Sequence, residues 1–403
     1  MSIVAVKHSG WFGAERASAW ARVMLVMSAL MVIGLMVATR VGTAADPWGR
    51  PLAPDFSSFW VAGRMALSGA AWAAWDPVAH GLAERASFPV EAGFHDDYYA
   101  FFYPPPFLLL MLPFSLLPYG FAALAWIAST SAAYLASLRR LFPAAGLAAL
   151  AFPALLVNVE HGQNGALTAA LLASGAGLLD RRPRLAGACL GMLCIKPHLA
   201  LLVVPALLAA GRLSTLACAA LSAGVLSLVS WLVLGGDAWR AFLIHSPFAL
   251  MALEGGLIGH AKMASSFAGA RLLGLGVTTA WLIQGMTFLI ALATVVSVSR
   301  RKPGGVPEIA TVCAAACLAT PFLLDYDLVI MAIPLSWVLC HASRTGFRRW
   351  EKALLFAGFA MPLVARPIGI QLGVPIAPII LLGLLWLIVD RLQTDDATAP
   401  AQA

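Results

Sequence analysis

The sequence predicts an all-α polytopic membrane protein, and three observations carry that expectation. Of 403 residues, 61% are hydrophobic and 11% charged, whereas soluble domains carry about 25% charged residues. The apolar residues gather in runs near the roughly 20-residue length a spanning helix needs, giving about nine to twelve segments or half-segments. Lysine and arginine sit in short clusters between those runs, as in cytoplasmic loops. One water-soluble core cannot hide this much apolar surface, so lipid is the main solvent. The net charge of +7 is then explained by the positive loops, and nucleic acid is not implied. Cys189, Cys194, Cys218, Cys313, Cys317 and Cys340 all lie in or beside apolar runs, which argues for burial and against a disulfide framework.

Taken in order, Lys7, Arg16 and Arg22 precede a first span at 20–41. It is long enough to cross and lacks a small-residue cleavage site before a polar start, so it is expected to remain as a helix. A polar loop, 42–103, follows. Residues 104–117 are too short and too proline-broken (Pro104, Pro105, Pro106, Pro113) for an ordinary span. Spans are then expected at 119–138, 142–158, 165–180, 213–234, 273–299, 306–324, 328–343, 352–366 and 369–390. Residues 185–211, interrupted at Lys196-Pro197, begin and end beside arginines. Parity holds if 104–117 and 185–211 are re-entrant half-helices, tolerated where protein or a cavity satisfies the freed backbone groups. The chain reads as one transmembrane domain, 1–393, followed by a short disordered tail, 394–403.

Charge orients these spans. Arg139 and Arg140, Arg181, Arg182 and Arg184, Arg212, Arg300 to Lys302, Arg344 to Lys352, and Arg391 fall on one side with the first cluster. By the positive-inside rule both termini are cytoplasmic, in a bacterial-type inner membrane. The opposite, outer face then holds the 42–103 loop, a loop at 235–272, and turns near 159–164 and 325–327. Most of the acids lie there, including Asp46, Asp55, Asp76, Glu84, Asp325 and Asp327. The first loop is larger than a connection requires, and its Trp48, Trp60, Trp72 and Trp75 suit interfacial helices. Chemistry is expected on this loop. Asp55, beyond the first span, is a candidate general base; the competing reading is a cap for a helix beginning at Phe56.

Five motifs occur in order: Asp55-Phe56-x-x-Phe59-Trp60-x-Ala62-Gly63-Arg64 with Asp76-Pro77, Phe102-Tyr103-Pro104-Pro105, His161-Gly162-Gln163-Asn164, Ile195-Lys196-Pro197, and Thr320-Pro321-x-x-x-Asp325-Tyr326-Asp327-Leu328. Together they resemble glycosyltransferase family 87, over roughly residues 20–390. The resemblance implies a GT-C-like bundle of about 10–12 transmembrane or re-entrant helices. It also implies transfer of a sugar, often mannose, from a polyprenyl-phosphate donor to a lipid or glycan acceptor on the outer face, with inversion. A lipid phosphate leaves as an anion, so one carboxylate, Asp55, suffices to take the acceptor's proton, unlike the carboxyl pair of a glycosidase.

The phosphate calls for cations, and Arg64, Lys196, Lys262, Arg271 and Arg366 are available near the outer interface. Lys196 stands out, because a lysine in an apolar run costs about 2.5–3.5 kcal/mol at mid-membrane; the alternative is snorkelling toward the cytoplasm. Arg64 could instead pair with an acid of its own loop or meet lipid headgroups. Tyr103, His161, Gln163, Asn164, Asp325, Tyr326 and Asp327 are candidates for sugar or acceptor contacts, with helix capping as the rival for the polar turns. The last motif departs from relatives that carry histidines where this chain has Tyr326 and Asp327. No cofactor is implied outright; the acidic turn is a candidate for a divalent cation at a donor phosphate, while His161 has no second histidine at ligand spacing. Nucleotide-hydrolase, zinc-protease and serine-hydrolase motifs are missing. A membrane transporter or flippase of a lipid-linked substrate is the alternative function. It is disfavoured by the missing internal repeat and by the large first loop.

Overall fold

The structure is a computed structural model and describes residues 14–38, 45–46, 49–301 and 304–398. Expectations placed on Lys7, Trp48, Lys302 and residues 399–403 lie outside the described residues. Among those described there is no strand, only two isolated bridges, Ala45 with Pro51 and Met263 with Leu324. The chain is an all-α bundle. Among the described residues, six helices are long and apolar enough to cross a membrane: Tyr119–Leu141, Leu213–Leu234, Val277–Arg300, Asp325–Thr345, Glu351–Leu372 and Ile376–Thr394. A seventh crossing arises if Pro143–Leu150 and Pro153–His161, bent by 51°, act as one. The first expected span falls on the helix Ala14–Ala38.

Several boundaries differ from the sequence reading for identifiable reasons. The expected span 142–158 is broken at Ala151-Phe152, because Pro153 has no amide proton to continue the ladder. The expected break between 366 and 369 does not occur. Pro362 and Pro367 lie inside one helix, Glu351–Leu372, which ends where Gly373 adopts a φ of 66°; prolines inside membrane helices are tolerated when neighbours satisfy the freed carbonyls. The last helix, Ile376–Thr398, runs through 394–398, where the sequence suggests a disordered tail.

The short helices Gly165–Leu178 and Gly305–Ala319 form the centre of the bundle. Nearly every side chain of Gly305–Ala319 is buried, and small residues let its neighbours approach closely. A Cβ on Gly305 would lie 2.6 Å from the Ala176 carbonyl oxygen. Pro105–Ser115, Pro183–Ile195 and Pro197–Ala209 are likewise too short to span. These are the two stretches read as broken in the sequence.

Helix direction separates the bundle's ends. Tyr119–Leu141 finishes on Arg139 and Arg140, Gly165–Leu178 leads to Arg181, Arg182 and Arg184, and the helix starting at Asp325 finishes near Arg344. At this basic end Arg212 pairs with Asp180 at 2.9 Å and Glu308 at 3.0 Å, and Arg348 pairs with Asp390 at 2.7 Å. The opposite ends carry the Asp55, Gln163 and Asp327 motifs. There the first loop folds into Pro54–Leu67, a turn of 3-10 helix at Ala71–Trp75, and Pro77–Ser87.

The helix Pro54–Leu67 packs into the bundle along most of its length. Phe56, Phe59, Val61 and Ala62 are buried, and the Phe56 and Phe59 rings join Phe101, Tyr103, Phe107, Tyr119 and Trp126 in one aromatic cluster. Edge-to-face pairs such as Phe59 with Phe107, 4.9 Å between centroids, add about 0.5–1.5 kcal/mol each beyond area burial. Trp75 is buried too and donates to the Tyr103 carbonyl at 2.8 Å, whereas Trp72 is exposed.

Candidate functional site

At the end of the bundle opposite the arginines lies a cavity of about 500 Å³. Its apolar lining includes Phe102, Phe242, Phe248, Leu257, Phe322 and Leu324. Its polar lining includes Asp55, Tyr103, Gln163, Lys196, Lys262, Tyr326 and Asp327. Five sequence motifs and the second loop thus meet in one place.

Asp55 is the second residue of its helix. The helix begins at Pro54, its N-cap is Ala53, and no side chain caps it, so the capping role is not what Asp55 does. Ala53 reaches the cap position only by a left-handed φ of 56°, uncommon for a residue with a Cβ. The turn His161–Asn164 packs directly against this start: a Cβ on Gly162, itself at φ 66°, would lie 2.7 Å from both Ala53 Cβ and Phe56 Cβ. Tyr119 Oη donates to the Leu52 carbonyl and lies 3.1 Å from the Ala53 carbonyl oxygen, and Trp126 Nε1 donates to the Gly162 carbonyl. The backbone around Asp55 is therefore held from three elements.

A short relay fixes the carboxylate. Tyr103 Oη donates to Gln163 Oε1 at 2.8 Å, and Gln163 Nε2 donates to Asp55 Oδ2 at 2.9 Å. The Asp55 carboxylate, which can only accept, sets the amide's orientation: it takes the Nε2 donor and leaves Oε1 to accept from Tyr103. Burial holds the Tyr103 phenol well above its ordinary range, so it stays a donor. Lys262 Nζ stands 3.8 Å from the same Oδ2. Among the described residues, Asp55 Oδ1 has no hydrogen-bond partner, which leaves lone pairs facing the cavity.

Lys196 occupies the break between Met192–Ile195 and Pro197–Ala200. Its Nζ donates to Asn164 Oδ1 at 2.8 Å and to Asp327 Oδ1 at 2.5 Å, with side-chain exposures of 3% for the lysine and 0% for Asp327. A snorkelling side chain would be solvated; this one is buried and paired. Its ammonium also faces the Tyr103 and Tyr326 rings at 5.6 and 5.3 Å, and Lys262 faces the Tyr326 ring at 5.5 Å. Tyr326 therefore lies between two acid and lysine pairs.

Other expected residues stand further off. His161 Nδ1 pairs with the Val157 carbonyl at 2.9 Å and its ring packs on Tyr326, behind the cavity wall. Asn164 reaches the site through Lys196 and through its backbone N–H, which donates to Gln163 Oε1 at 3.3 Å. Asp325 accepts from its neighbour's backbone at Tyr326 N, and Arg366 Nη1 lies 3.5 Å from Asp325 Oδ2. Arg64 is exposed and lies over the Trp60 ring at 5.7 Å, while Arg271 donates to the Leu275 carbonyl. Neither lines the cavity. The acidic turn does not fit a divalent cation: Asp327 faces Lys196 and Asp325 faces Arg366, whereas calcium or magnesium needs about six oxygen ligands. Among the described residues no group of three histidine, cysteine or acidic side chains comes together.

The sequence reading missed four residues here. His198, two positions after Lys196, lines the cavity with a buried Nε2 that has no hydrogen-bond partner among the described residues. Tyr98 and Tyr99 form the wall beside Asp55. Glu84 lies behind that wall, bonded to Ser57 and to the Tyr99 amide. The Tyr98-Tyr99 pair just before the Phe102-Tyr103 motif was the one signal available.

A family model described as glycosyltransferase family 87 matches residues 101–321, more than half of the chain. The matched stretch contains Tyr103, Gln163, Lys196 and Lys262; Asp55 and Asp327 lie outside it. No curated protein and no solved structure matches.

Proposed function

Because the chain belongs to glycosyltransferase family 87 and is a multi-pass membrane protein, we propose that it moves a sugar, mannose by family habit, from a polyprenyl-phosphate donor to a lipid or glycan acceptor. The observation that carries this reading is Asp55 itself. Its Oδ2 is held by Gln163, with Lys262 3.8 Å away, and among the described residues its Oδ1 has no hydrogen-bond partner, in a cavity that Lys196 also lines together with aromatic and aliphatic side chains. The apolar lining suits the lipid chain, and the polar lining suits the phosphate and sugar.

In the proposed reaction the acceptor hydroxyl attacks the anomeric carbon from the face opposite the phosphate. The new carbon–oxygen bond forms as the bond to the phosphate oxygen breaks, and Asp55 Oδ1 receives the hydroxyl proton. The polyprenyl phosphate leaves with the bonding electrons. Its growing charge is met by Lys262, and by the ammonium proton of Lys196 that Asn164 and Asp327 do not use. Arg64, Arg271 and Arg366 are not assigned to this phosphate, since none lines the cavity.

By the positive-inside rule the cavity faces outward in a bacterial-type inner membrane, with the arginine-rich ends and both termini cytoplasmic. A lipid-linked donor suits that side, because the lipid phosphate carries the activation energy with it. The test is donor class. Purified protein in nanodiscs, given an extract of membrane acceptors, should transfer labelled mannose from polyprenyl-phosphate mannose and none from a nucleotide sugar. Transfer from the nucleotide sugar alone would overturn the donor assignment.

A further inference from the structure

Glu84 belongs to the helix Pro77–Ser87, which starts at an Asp76 cap accepting from Val78 N and Ala79 N. The carboxyl is buried, with 3% of the residue exposed, and lies against the Asp55 helix. Ser57 Oγ is 2.6 Å from Glu84 Oε1 and 2.7 Å from the Pro54 carbonyl oxygen, and Tyr99 N–H donates to Glu84 Oε2 at 2.9 Å. A serine hydroxyl has one proton to give. If Glu84 were ionised, two acceptors would compete at short range for that proton, and one contact would be an unrelieved approach of two oxygens. With a proton on Glu84 Oε1 every contact is satisfied: Glu84 donates to Ser57 Oγ, Ser57 donates to the Pro54 carbonyl, and Tyr99 donates to Oε2.

We propose that Glu84 is a positioning residue that works as a neutral carboxylic acid, its proton holding the first turn of the Asp55 helix and the Tyr99 wall in place for transfer. This rests on the reading of Asp55 as the base. Pro54 immediately precedes Asp55, and Tyr99 lines the cavity next to it, so the chain from Glu84 through Ser57 ends beside the reacting group. Gln163 holds Asp55 from one side, and Glu84 holds its backbone from the other.

The surroundings favour the neutral form. Asp55 on the facing helix and Asp97 on the connecting segment both oppose a second negative charge; Tyr98, Tyr99 and Tyr119 are neutral phenols around it. His80, one turn earlier on the same helix, is fully buried with Nε2 on the Ser58 carbonyl, and burial lowers it to about 4, so it adds no positive charge at neutral pH. The neighbouring cation, Arg85, is turned to the surface and paired with Asp96. Burial raises Glu84 from 4.5 to about 7. A folded-state value above the unfolded one makes the protonated clamp fully present below about 4.5 and lost as pH rises through about 7.

Two measurements on the intact protein in nanodiscs test this. Infrared difference spectra between about pH 5 and about pH 9 should contain a protonated-carboxyl band that disappears on titration. The band should be missing in Glu84→Gln and kept in Asp55→Asn. Transfer by the wild type should fall about tenfold between pH 6 and pH 8, following loss of the proton from a group near 7. Glu84→Gln can donate to Ser57 and accept from Tyr99 without titrating, so its rate should change less than about twofold over the same range. Glu84→Ala, which can do neither, should lose transfer at every pH. An unchanged band in Glu84→Gln, or the same alkaline fall in that variant, would overturn the proposal. The infrared result needs no donor, so it stands or falls separately from the assignment of the reaction.

Discussion

Replacing Lys196 with methionine removes one partner of a pair whose other partner, Asp327, has no exposed surface. Breaking a buried pair from one side costs about 3–5 kcal/mol, since the remaining charge is left without compensation. The hydrogen bond to Asn164 Oδ1 is lost with it. Unfolding can be followed with a thiol-reactive dye, because Cys313 and Cys317 are free and fully buried in the central helix. Their labelling midpoint in a denaturant series should move to lower denaturant. The double variant Lys196→Met with Asp327→Leu replaces the pair with apolar groups and should regain most of that stability, since such swaps are often neutral. Transfer should behave differently. A hydrogen bond to a charged group is worth about 1.5–3 kcal/mol, so loss of the Lys196 contact to the departing phosphate should lower kcat/KM about 10- to 150-fold in both variants. A double variant that regained activity along with stability would refute the phosphate role and leave Lys196 as a structural residue. A single variant as stable as the wild type would refute the energetic reading of the pair.

Gln163→Leu should lower kcat at least about tenfold with little change in donor KM, as one hydrogen bond to a charged group, worth about 1.5–3 kcal/mol, no longer holds Asp55 away from Lys262; a change confined to KM would assign Gln163 to binding instead. Gly162→Ala should destabilise the protein by about 1–3 kcal/mol and depress transfer, because the new methyl would stand 2.7 Å from Ala53 and Phe56; Gly120→Ala, with nothing within 4 Å, is the control. Lys262→Met should raise donor KM with a stability change under about 1 kcal/mol, as for a partly exposed pair, while Arg64→Gln should leave transfer within about twofold. Equal loss from both would show that the cavity boundary is drawn in the wrong place.

Much of the site was legible because its residues violate the pattern around them. Lys196 and its following proline interrupt an apolar run, Asp55 and Asp327 are acids at the ends of such runs, and His161–Asn164 is too polar for a plain turn. The structure brings Asp55, Gln163, Lys196 and Asp327 together. Arg64 does not line the cavity, and helix geometry accounts for that: nine residues after Asp55, at about 3.6 residues per turn, it lies two and a half turns on and faces the opposite way. Glu84 was not legible. Its partners are 27 and 15 residues distant, and only tertiary packing shows which acid of the loop is buried. The helix through Pro362 and Pro367 was missed because proline reads as a stop unless its neighbours in the bundle are known.

The claim on which the account rests is that Asp55 takes the acceptor's proton. Single-turnover transfer from labelled polyprenyl-phosphate mannose should be measured in wild type and Asp55→Asn, with donor binding measured in parallel. Asparagine keeps the shape and can still bond Gln163, but it cannot hold a proton as a base. The account predicts unchanged folding, donor binding within about threefold, and transfer reduced by about 10²–10⁴, the range for loss of a general base. Transfer within tenfold of wild type, with donor still bound, would contradict it.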